Sequence, residues 1–190
     1  MFDSPAAYSQ PNAFRQCITE TIGNTPLVQL NRLPGMRGAR ATVLAKLEYF
    51  NPAGSIKDRA ALSMLEDLLR QHNGNVRHII EATSGNSGVA CAWLGAVYDI
   101  PVTIVMPEHM SSERQLMVRH YGANLITTPR RDGMPGAIAH AHNLLNDIKG
   151  AVSMDQFANP ANAAAHQNTT AREVWQQTNG HIDALVACMG

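Results

Sequence analysis

The chain has 190 residues, of which 45% are hydrophobic and 16% charged, with 15 basic and 15 acidic side chains. This composition is typical of a globular protein, and the balanced charge gives no indication of a nucleic-acid or membrane partner. Three cysteines without a CxxC pair favour a reducing, cytoplasmic compartment. Two of them, Cys91 and Cys188, stand in apolar runs and are expected to be core thiols. The longest apolar stretch, residues 89–97, is too short to span a bilayer.

The first forty residues contain little regular pattern. Residues 1–20 are predicted to form an irregular arm with no apolar block, so no signal peptide is expected. A turn cluster at 21–26 precedes a short strand-like segment, 27–30, and a loop is predicted over 31–40.

From residue 41 onward, strand-like and helix-like segments alternate. The predicted strands are 43–47, 77–82, 102–106, 123–127 and 184–189. The predicted helices are 59–71, 87–98, 111–121, 136–149 and 161–178. This alternation predicts an α/β fold in which a parallel sheet has helices on both faces, as three α/β/α layers. Trp93 and Trp175 lie on predicted helices and are expected in the core.

Lys57 stands in the segment 51–59, Asn-Pro-Ala-Gly-Ser-Ile-Lys-Asp-Arg, between a predicted strand and a predicted helix. The Asn, Pro, Gly and Ser residues predict a tight turn, which places Lys57 at or near the first turn of the helix. Because the helix dipole disfavours a cation there, a lysine held at this place is easier to deprotonate, and a neutral amine is a nucleophile. The plain alternative is a solvated lysine at a helix start.

A second motif, Thr-Ser-Gly-Asn-Ser-Gly at 83–88, follows a predicted strand and opens the next helix. Hydroxyls, an amide and two glycines at a helix N-terminus are typical of an anion site, since backbone N–H groups and the helix dipole favour negative charge. We therefore expect a carboxylate or a phosphate there. The alternative is a helix cap followed by a turn, a role that Ser and Asn also fill.

A third segment, Met-Asp-Gln-Phe at 154–157, follows a short apolar stretch, so one of its polar residues could face a ligand. An ordinary polar loop is the alternative. The eight histidines show no metal-ligand spacing, and no metal site is predicted.

Together these motifs resemble those of the fold-type II pyridoxal-phosphate enzymes. Segment 51–59 resembles the family's lysine motif, 83–88 is similar to its substrate loop, and 21–27 resembles its N-terminal signature. Within the family, the Ala-Gly-Ser form of the lysine loop and Asp58 are more similar to cysteine synthase B than to the A isozyme. Cystathionine β-synthase and diaminopropionate synthases share the lysine motif and stay open as alternatives.

The resemblance implies a role for each matching residue. Lys57 would form the Schiff base with pyridoxal 5'-phosphate and remove the Cα proton of the substrate. Asn86 would bond the ring hydroxyl oxygen of the cofactor, and Gly190 would begin the loop that holds its phosphate. The residues that would hold the substrate α-carboxylate are Thr83, Ser84, Gly85, Asn86, Ser87 and Gln156.

The implied reaction is β-replacement, in which O-acetylserine and sulfide, or thiosulfate, yield L-cysteine in the last step of cysteine biosynthesis by a homodimer. A smaller domain would cover residues 41–154, and a larger, incomplete domain would cover 1–40 and 155–190. We therefore expect a chain truncated on its C-terminal side, which would neither hold the cofactor nor be active alone. An inactive remnant or a binding module is the alternative.

Overall fold

The computed structural model describes residues 14–188, and Gly190 lies outside them. The strands are β1 Leu27–Gln29, β2 Leu44–Lys46, β3 His78–Ala82, β4 Val102–Pro107, β5 Asn124–Thr128 and β6 Ala151–Val152. The α-helices are α1 Arg32–Met36, α2 Lys57–Gln71, α3 Asn86–Tyr98, α4 Ser112–His120, α5 Gly133–Asp147, α6 Pro160–Ala165 and α7 Ala171–Gln177. A π-helical turn, His166–Thr170, joins α6 to α7.

Four strands form a parallel sheet in the order β5-β4-β3-β6. Ile79 of the central strand β3 pairs with Val102 on one side and with Val152 on the other. Since parallel strands end at the same edge of a sheet, the segments that follow β3, β4 and β6 all leave from one edge, where ligands bind in open α/β folds.

Alternate side chains of the sheet enter two separate cores. Ile79 and Ile104 pack with buried residues of α2, α3 and α4, such as Leu65. The neighbouring Ile80 and Val105 point to the opposite face and pack against α5. The predicted α/β class, with a parallel sheet between helical layers, is therefore confirmed. In the part of the chain that is described, no helix is both long and apolar enough to cross a membrane.

The predicted strand at 43–47 exists as β2, but the expectation that it belongs to the parallel sheet is wrong. It pairs with β1 in a separate antiparallel ribbon, in which Leu27 lies opposite Lys46. The ribbon is extended by two further backbone bonds, Leu30 to Val43 and Leu47 to Pro26. Successive strands commonly pair with each other, and the alternating pattern of single segments does not reveal such a partner.

The predicted strand at 184–189 is wrong for the residues that the structure describes. Residues 184–188 adopt no regular structure, and Leu185 and Val186 are 77% and 95% exposed. Cys188 is exposed as well, contrary to the expectation of a core thiol, whereas Cys91 is buried. A β-prone sequence forms a strand only where a neighbouring strand accepts its backbone hydrogen bonds, and nothing in 14–188 does so here.

Two further predictions need correction. The loop expected at 31–40 contains the short helix α1, and the single helix expected at 161–178 is interrupted by the π turn. Within this interruption the hydroxyl of Thr169 donates to the carbonyl of Ala165 at 2.7 Å. Trp175, expected in the core, is 60% exposed on α7, while Trp93 is buried on α3.

Candidate active site

One narrow cleft brings together four of the residues predicted from the motifs. Lys57 from the start of α2, Thr83 and Ser87 from the turn between β3 and α3, and Gln156 from the segment after β6 all line it. These four side chains come from three separate parts of the chain. The cleft lies at the edge of the sheet where the strands end, as expected for an open α/β fold.

Lys57 is the first residue of α2, as the sequence predicted. Its backbone N–H donates to the hydroxyl of Ser55 at 3.1 Å. Its side-chain amine makes no hydrogen bond or salt bridge to any residue of 14–188. In contrast, the amine of Lys46 donates to Thr25, Glu173 and Gln177, at 2.8, 2.6 and 2.9 Å. The Lys57 amine is therefore the one available to a ligand in the cleft.

Asp58 holds the turn that precedes the lysine. One carboxylate oxygen accepts the backbone N–H of Ala53 at 2.6 Å, and the other accepts the hydroxyl of Ser55 at 3.4 Å. The side chain is fully buried, and burial raises its pKa to about 6 despite these hydrogen bonds, which lower it. The position of Lys57 thus depends on a buried acid beside it.

Arg59 anchors the same helix end to distant parts of the chain. Its side chain, 1% exposed, binds Glu48 and Glu173 through salt bridges of 2.7 and 2.5 Å. It also donates to the hydroxyl of Thr25 at 3.2 Å. The guanidinium therefore joins the segment before β1, the segment after β2 and α7 to the start of α2, two residues from Lys57.

The ion pairs with Arg59 determine the protonation states of Glu48 and Glu173. Burial alone raises the pKa of Glu173, but hydrogen bonds from Arg59 and Lys46 outweigh it and lower the pKa to about 2. In the same way, Arg59 holds the pKa of Glu48 below its usual value against the effect of burial. Both carboxylates are therefore ionised at neutral pH, and the buried guanidinium has two partners that compensate its charge.

The turn 83–88 leaves the N-terminus of α3 open. Gly85 occupies the N-cap, and no side chain caps the helix, so the alternative of a side-chain cap is not what the structure has. A Cβ atom on Gly85 would meet nothing within 4 Å. On Gly88 it would lie 2.7 Å from the Cγ2 atom of Thr83, so this glycine lets the helix pack against the end of β3. Uncapped N–H groups beside open space are the features of an anion site.

One hydrogen bond connects this turn to the other wall of the cleft, and a second joins that wall to α6. The hydroxyl of Ser87 donates to the side-chain oxygen of Gln156 at 2.6 Å, and Asn162 of α6 donates to the backbone carbonyl of Gln156 at 2.7 Å. Of the remaining predicted residues, Ser84, Gly85 and Asn86 stand in the same turn but do not line the cleft.

Motif analysis missed Glu81, which lines the cleft from the end of β3 and is 7% exposed. Burial raises its pKa, although Ser153 and Asp155 donate hydrogen bonds that lower it. An acid between Ile80 and Ala82 inside a predicted strand was the available signal. The partners of Arg59 were missed too, and no local pattern connects Glu48 to Glu173.

The comparison with known protein families identifies the family to which this chain belongs. The sequence profile described as pyridoxal-phosphate dependent enzyme matches residues 18–190. The chain belongs to the pyridoxal-phosphate dependent enzyme family. Among residues 14–188, no group of three or more His, Cys, Asp or Glu side chains is arranged to hold a metal ion.

Several curated proteins that are similar to this chain are named cysteine synthases. The chain is 45% identical over 176 residues to cysteine synthase B of Escherichia coli, covering 91% of this chain and 56% of that protein. It is 42% identical over 175 residues to cysteine synthase 3 of Caenorhabditis elegans, covering 90% and 50%. The resemblance to cysteine synthase B is therefore confirmed. The chain spans about half the length of the curated relatives it matches.

Solved structures agree with the fold. Cysteine synthase of Entamoeba histolytica superposes with a TM-score of 0.84 at 38% identity, covering 95% of this chain and 54% of that one. An O-ureido-L-serine synthase superposes with a TM-score of 0.82 at 36% identity, covering 88% and 52%. The predicted fold-type II architecture is confirmed by these likenesses.

The cofactor that the family implies is pyridoxal 5'-phosphate. Its aldehyde requires an amine without competing partners, and the Lys57 amine has none among residues 14–188. The open space in front of Gly85 leaves room for a ligand at the N-terminus of α3. On both observations the residues present fit the cofactor.

Proposed function

We propose that the protein is a cysteine synthase that replaces the acetoxy group of O-acetylserine with sulfide, giving L-cysteine and acetate, with pyridoxal 5'-phosphate as its cofactor. The observation that supports this proposal most is that Lys57, whose amine has no partner among residues 14–188, lines one cleft with Thr83, Ser87 and Gln156. The similarity to proteins named cysteine synthase supports this choice of reaction.

Within this proposal Lys57 has two tasks. Its Nζ atom would hold the cofactor through the aldehyde carbon, and the same amine would accept the proton from the substrate Cα. When bound, the cofactor supplies an electron-withdrawing ring that stabilises negative charge at that carbon. Asn86 would hold the ring hydroxyl oxygen and Gly190 the phosphate. Asp58 and Arg59 keep the start of α2 in place.

The turn 83–88 binds the substrate carboxylate in this proposal. Thr83, Ser84 and Ser87 offer hydroxyls, and Asn86 offers a backbone N–H group at the uncapped helix end, where the N–H of Gly85 donates to the Thr83 hydroxyl at 3.4 Å. Gln156 completes the subsite from the opposite wall through its contact with Ser87. A carboxylate held there is fixed relative to Lys57, which is the orientation that proton transfer from Cα requires.

A covalent labelling experiment tests the lysine directly. The sequence contains three lysines, at positions 46, 57 and 149. After incubation with pyridoxal phosphate and reduction with borohydride, label on Lys57 supports the proposed site, whereas no label on any lysine agrees with the expectation that these 190 residues alone do not hold the cofactor. Lys149, which is exposed, serves as the control for nonspecific labelling, and Lys46 is protected by its three partners. Equal labelling of Lys149 and Lys57 would contradict a specific site.

A second candidate is a related β-replacement with another nucleophile. The likeness to an O-ureido-L-serine synthase favours keeping it open, as do the cystathionine β-synthases and diaminopropionate synthases that share the lysine motif. An activity assay decides between the two candidates. It compares the rate of cysteine formation from O-acetylserine with sulfide or thiosulfate with the rate of product formation from serine with homocysteine. A clear preference for the second pair of substrates would replace the cysteine synthase proposal.

Assembly and compartment belong to the proposal as well. A cytoplasmic homodimer fits the sparse, unpaired cysteines and the large exposed apolar side chains, among them Phe14, Leu33 and Met36, which are 72%, 62% and 71% exposed. The division into a domain at 41–154 and another formed by 1–40 and 155–190 stays a prediction. Sedimentation velocity tests the dimer, and a monomer at micromolar concentration would contradict it.

A further inference from the structure

Glu81 is a buried acid with a specific set of donors. It is the fourth residue of β3, between Ile80 and Ala82, and is 7% exposed. One carboxylate oxygen, Oε1, accepts both the hydroxyl of Ser153 at 2.8 Å and the backbone N–H of Asp155 at 2.9 Å. The acid therefore joins the end of β3 to the segment that follows β6.

The bond to Asp155 falls on a turn in which the Asp155 carbonyl accepts the N–H groups of Ala158 and Asn159, at 3.0 and 2.8 Å, while its own N–H depends on side chains. Asp155 has a φ of +48°, in the left-handed region that costs a non-glycine residue about 1 kcal/mol or more. Its N–H also contacts the hydroxyl of Ser153 at 3.0 Å, so Ser153 and Glu81 together fix this one amide. A residue in this conformation turns the chain, and the turn determines where the next residue points.

The next residue is Gln156, whose side-chain oxygen accepts the Ser87 hydroxyl at 2.6 Å. We infer that Glu81 is a positioning residue that fixes the turn at Asp155 and thereby holds Gln156 against Ser87 at the N-terminus of α3. This inference rests on the proposed function for the role of Gln156 in binding the substrate carboxylate. Glu81 itself acts through the backbone rather than on the substrate.

Two substitutions separate the hydrogen bond from the charge. Glu81→Gln keeps an oxygen that can accept both donors, whereas Glu81→Leu has similar size and no acceptor. In hydrogen exchange of the protein without any ligand, we expect the Asp155 amide to exchange at least about tenfold faster in the Leu variant and near the wild-type rate in the Gln variant. We expect KM for O-acetylserine to rise about tenfold in the Leu variant, with a smaller change in kcat.

Glu108 provides a control that lies directly after the neighbouring strand β4, because this exposed acid also accepts a single backbone amide, that of Arg130, at 3.0 Å. Glu108→Leu is expected to free the Arg130 amide without a change in KM. If Glu81→Leu does not fold, as judged by circular dichroism, Glu81→Asp keeps the charge, shortens the reach and replaces it in both measurements.

The outcomes are distinct. Unchanged exchange at Asp155 in the Leu or Asp variant overturns the inference, and so does a KM effect no larger than that of Glu108→Leu when Gln156→Ala raises KM. A rescue by Glu81→Gln in both measurements supports it. If Gln156→Ala leaves KM unchanged, the proposed role of Gln156 is wrong, while the exchange result still decides whether Glu81 holds the turn.

Discussion

Arg59 and Glu173 are 114 residues apart in the chain, yet the guanidinium donates to both carboxylate oxygens, at 2.5 and 2.8 Å. The same guanidinium binds both oxygens of Glu48. Because Arg59 follows Lys57 by two residues on one helix, these bonds hold the end of α2 that carries the lysine. The orientation of Lys57 is thus a property of the whole fold.

Removing this guanidinium is expected to destabilise the protein strongly. Arg59→Met leaves the largely buried carboxylate of Glu48 without its cation and that of Glu173 with Lys46 alone, and breaking a buried pair from one side costs about 3–5 kcal/mol. Urea unfolding measures the change in the free energy of unfolding. Arg70→Met is the control, since Arg70 is 76% exposed in its salt bridge with Asp67 and should cost less than about 1 kcal/mol. Equal costs for the two variants would contradict the anchoring role of Arg59.

Acid should weaken the fold through Glu173. Its pKa is lowered from 4.5 to about 2, so its stabilisation is present above the ordinary value and is lost as the pH falls through about 2. The contribution is on the order of 3 kcal/mol. Asp58 acts in the opposite direction, because its pKa is raised from 3.8 to about 6 in the folded protein. Its stabilising contribution is therefore fully present at pH values below 3.8 and is lost as the pH rises through about 6.

Glu173→Gln isolates the first effect, because Asp58 is unchanged in it. Urea midpoints measured between pH 5 and pH 3 should fall more steeply for the wild type than for this variant. Parallel slopes would show that Glu173 does not have a lowered pKa in the folded protein.

The two glycines at the start of α3 should respond differently to alanine. Gly88→Ala places a Cβ atom 2.7 Å from Thr83, and the resulting overpacking is expected to cost about 1–3 kcal/mol. Gly85→Ala enters open space and should cost less than about 1 kcal/mol, but its methyl group occupies the space in front of the helix end. We expect Gly85→Ala to raise KM for O-acetylserine with little loss of stability. A stable Gly85→Ala variant with wild-type KM would argue against a ligand there.

The cysteines should differ in reactivity. Cys91 is buried, and burial raises the pKa of its thiol, so both access and thiolate formation are disfavoured. Cys188 is exposed. Alkylation of the native protein followed by peptide mass spectrometry should modify Cys188 quickly and Cys91 only after unfolding. Rapid modification of Cys91 would show that the core opens at this helix.

The parallel sheet and the cleft could be predicted because their signals are local. Apolar runs with helical or strand spacing identified the elements, and Lys57 and Ser87 stood at strand-to-helix turns where backbone geometry explains their chemistry. Gln156 was found through the family resemblance, since a polar residue after a short strand is common in loops. In the structure, the side-chain oxygen of Gln156 accepts a hydrogen bond from the hydroxyl of Ser87 at 2.6 Å.

The remaining features depend on partners far away in sequence. The pairing of β2 with β1 cannot be read from either segment, because a three-residue strand has almost no periodicity of its own. Residues 184–188 have strand composition, but composition does not supply the neighbour that a strand needs. Glu48 and Glu173 look like ordinary surface acids until Arg59 is placed between them.

The π turn His166–Thr170 has a consequence for Glu173. A π turn is equivalent to one extra residue in an α-helix, so it rotates everything after it by about 100° around the helix axis. Deleting one residue between 166 and 170 would restore a regular helix and swing the carboxylate of Glu173 away from the guanidinium of Arg59. The single extra residue of the π turn sets the rotation of α7 and thereby governs a salt bridge in which no π-turn residue is a partner.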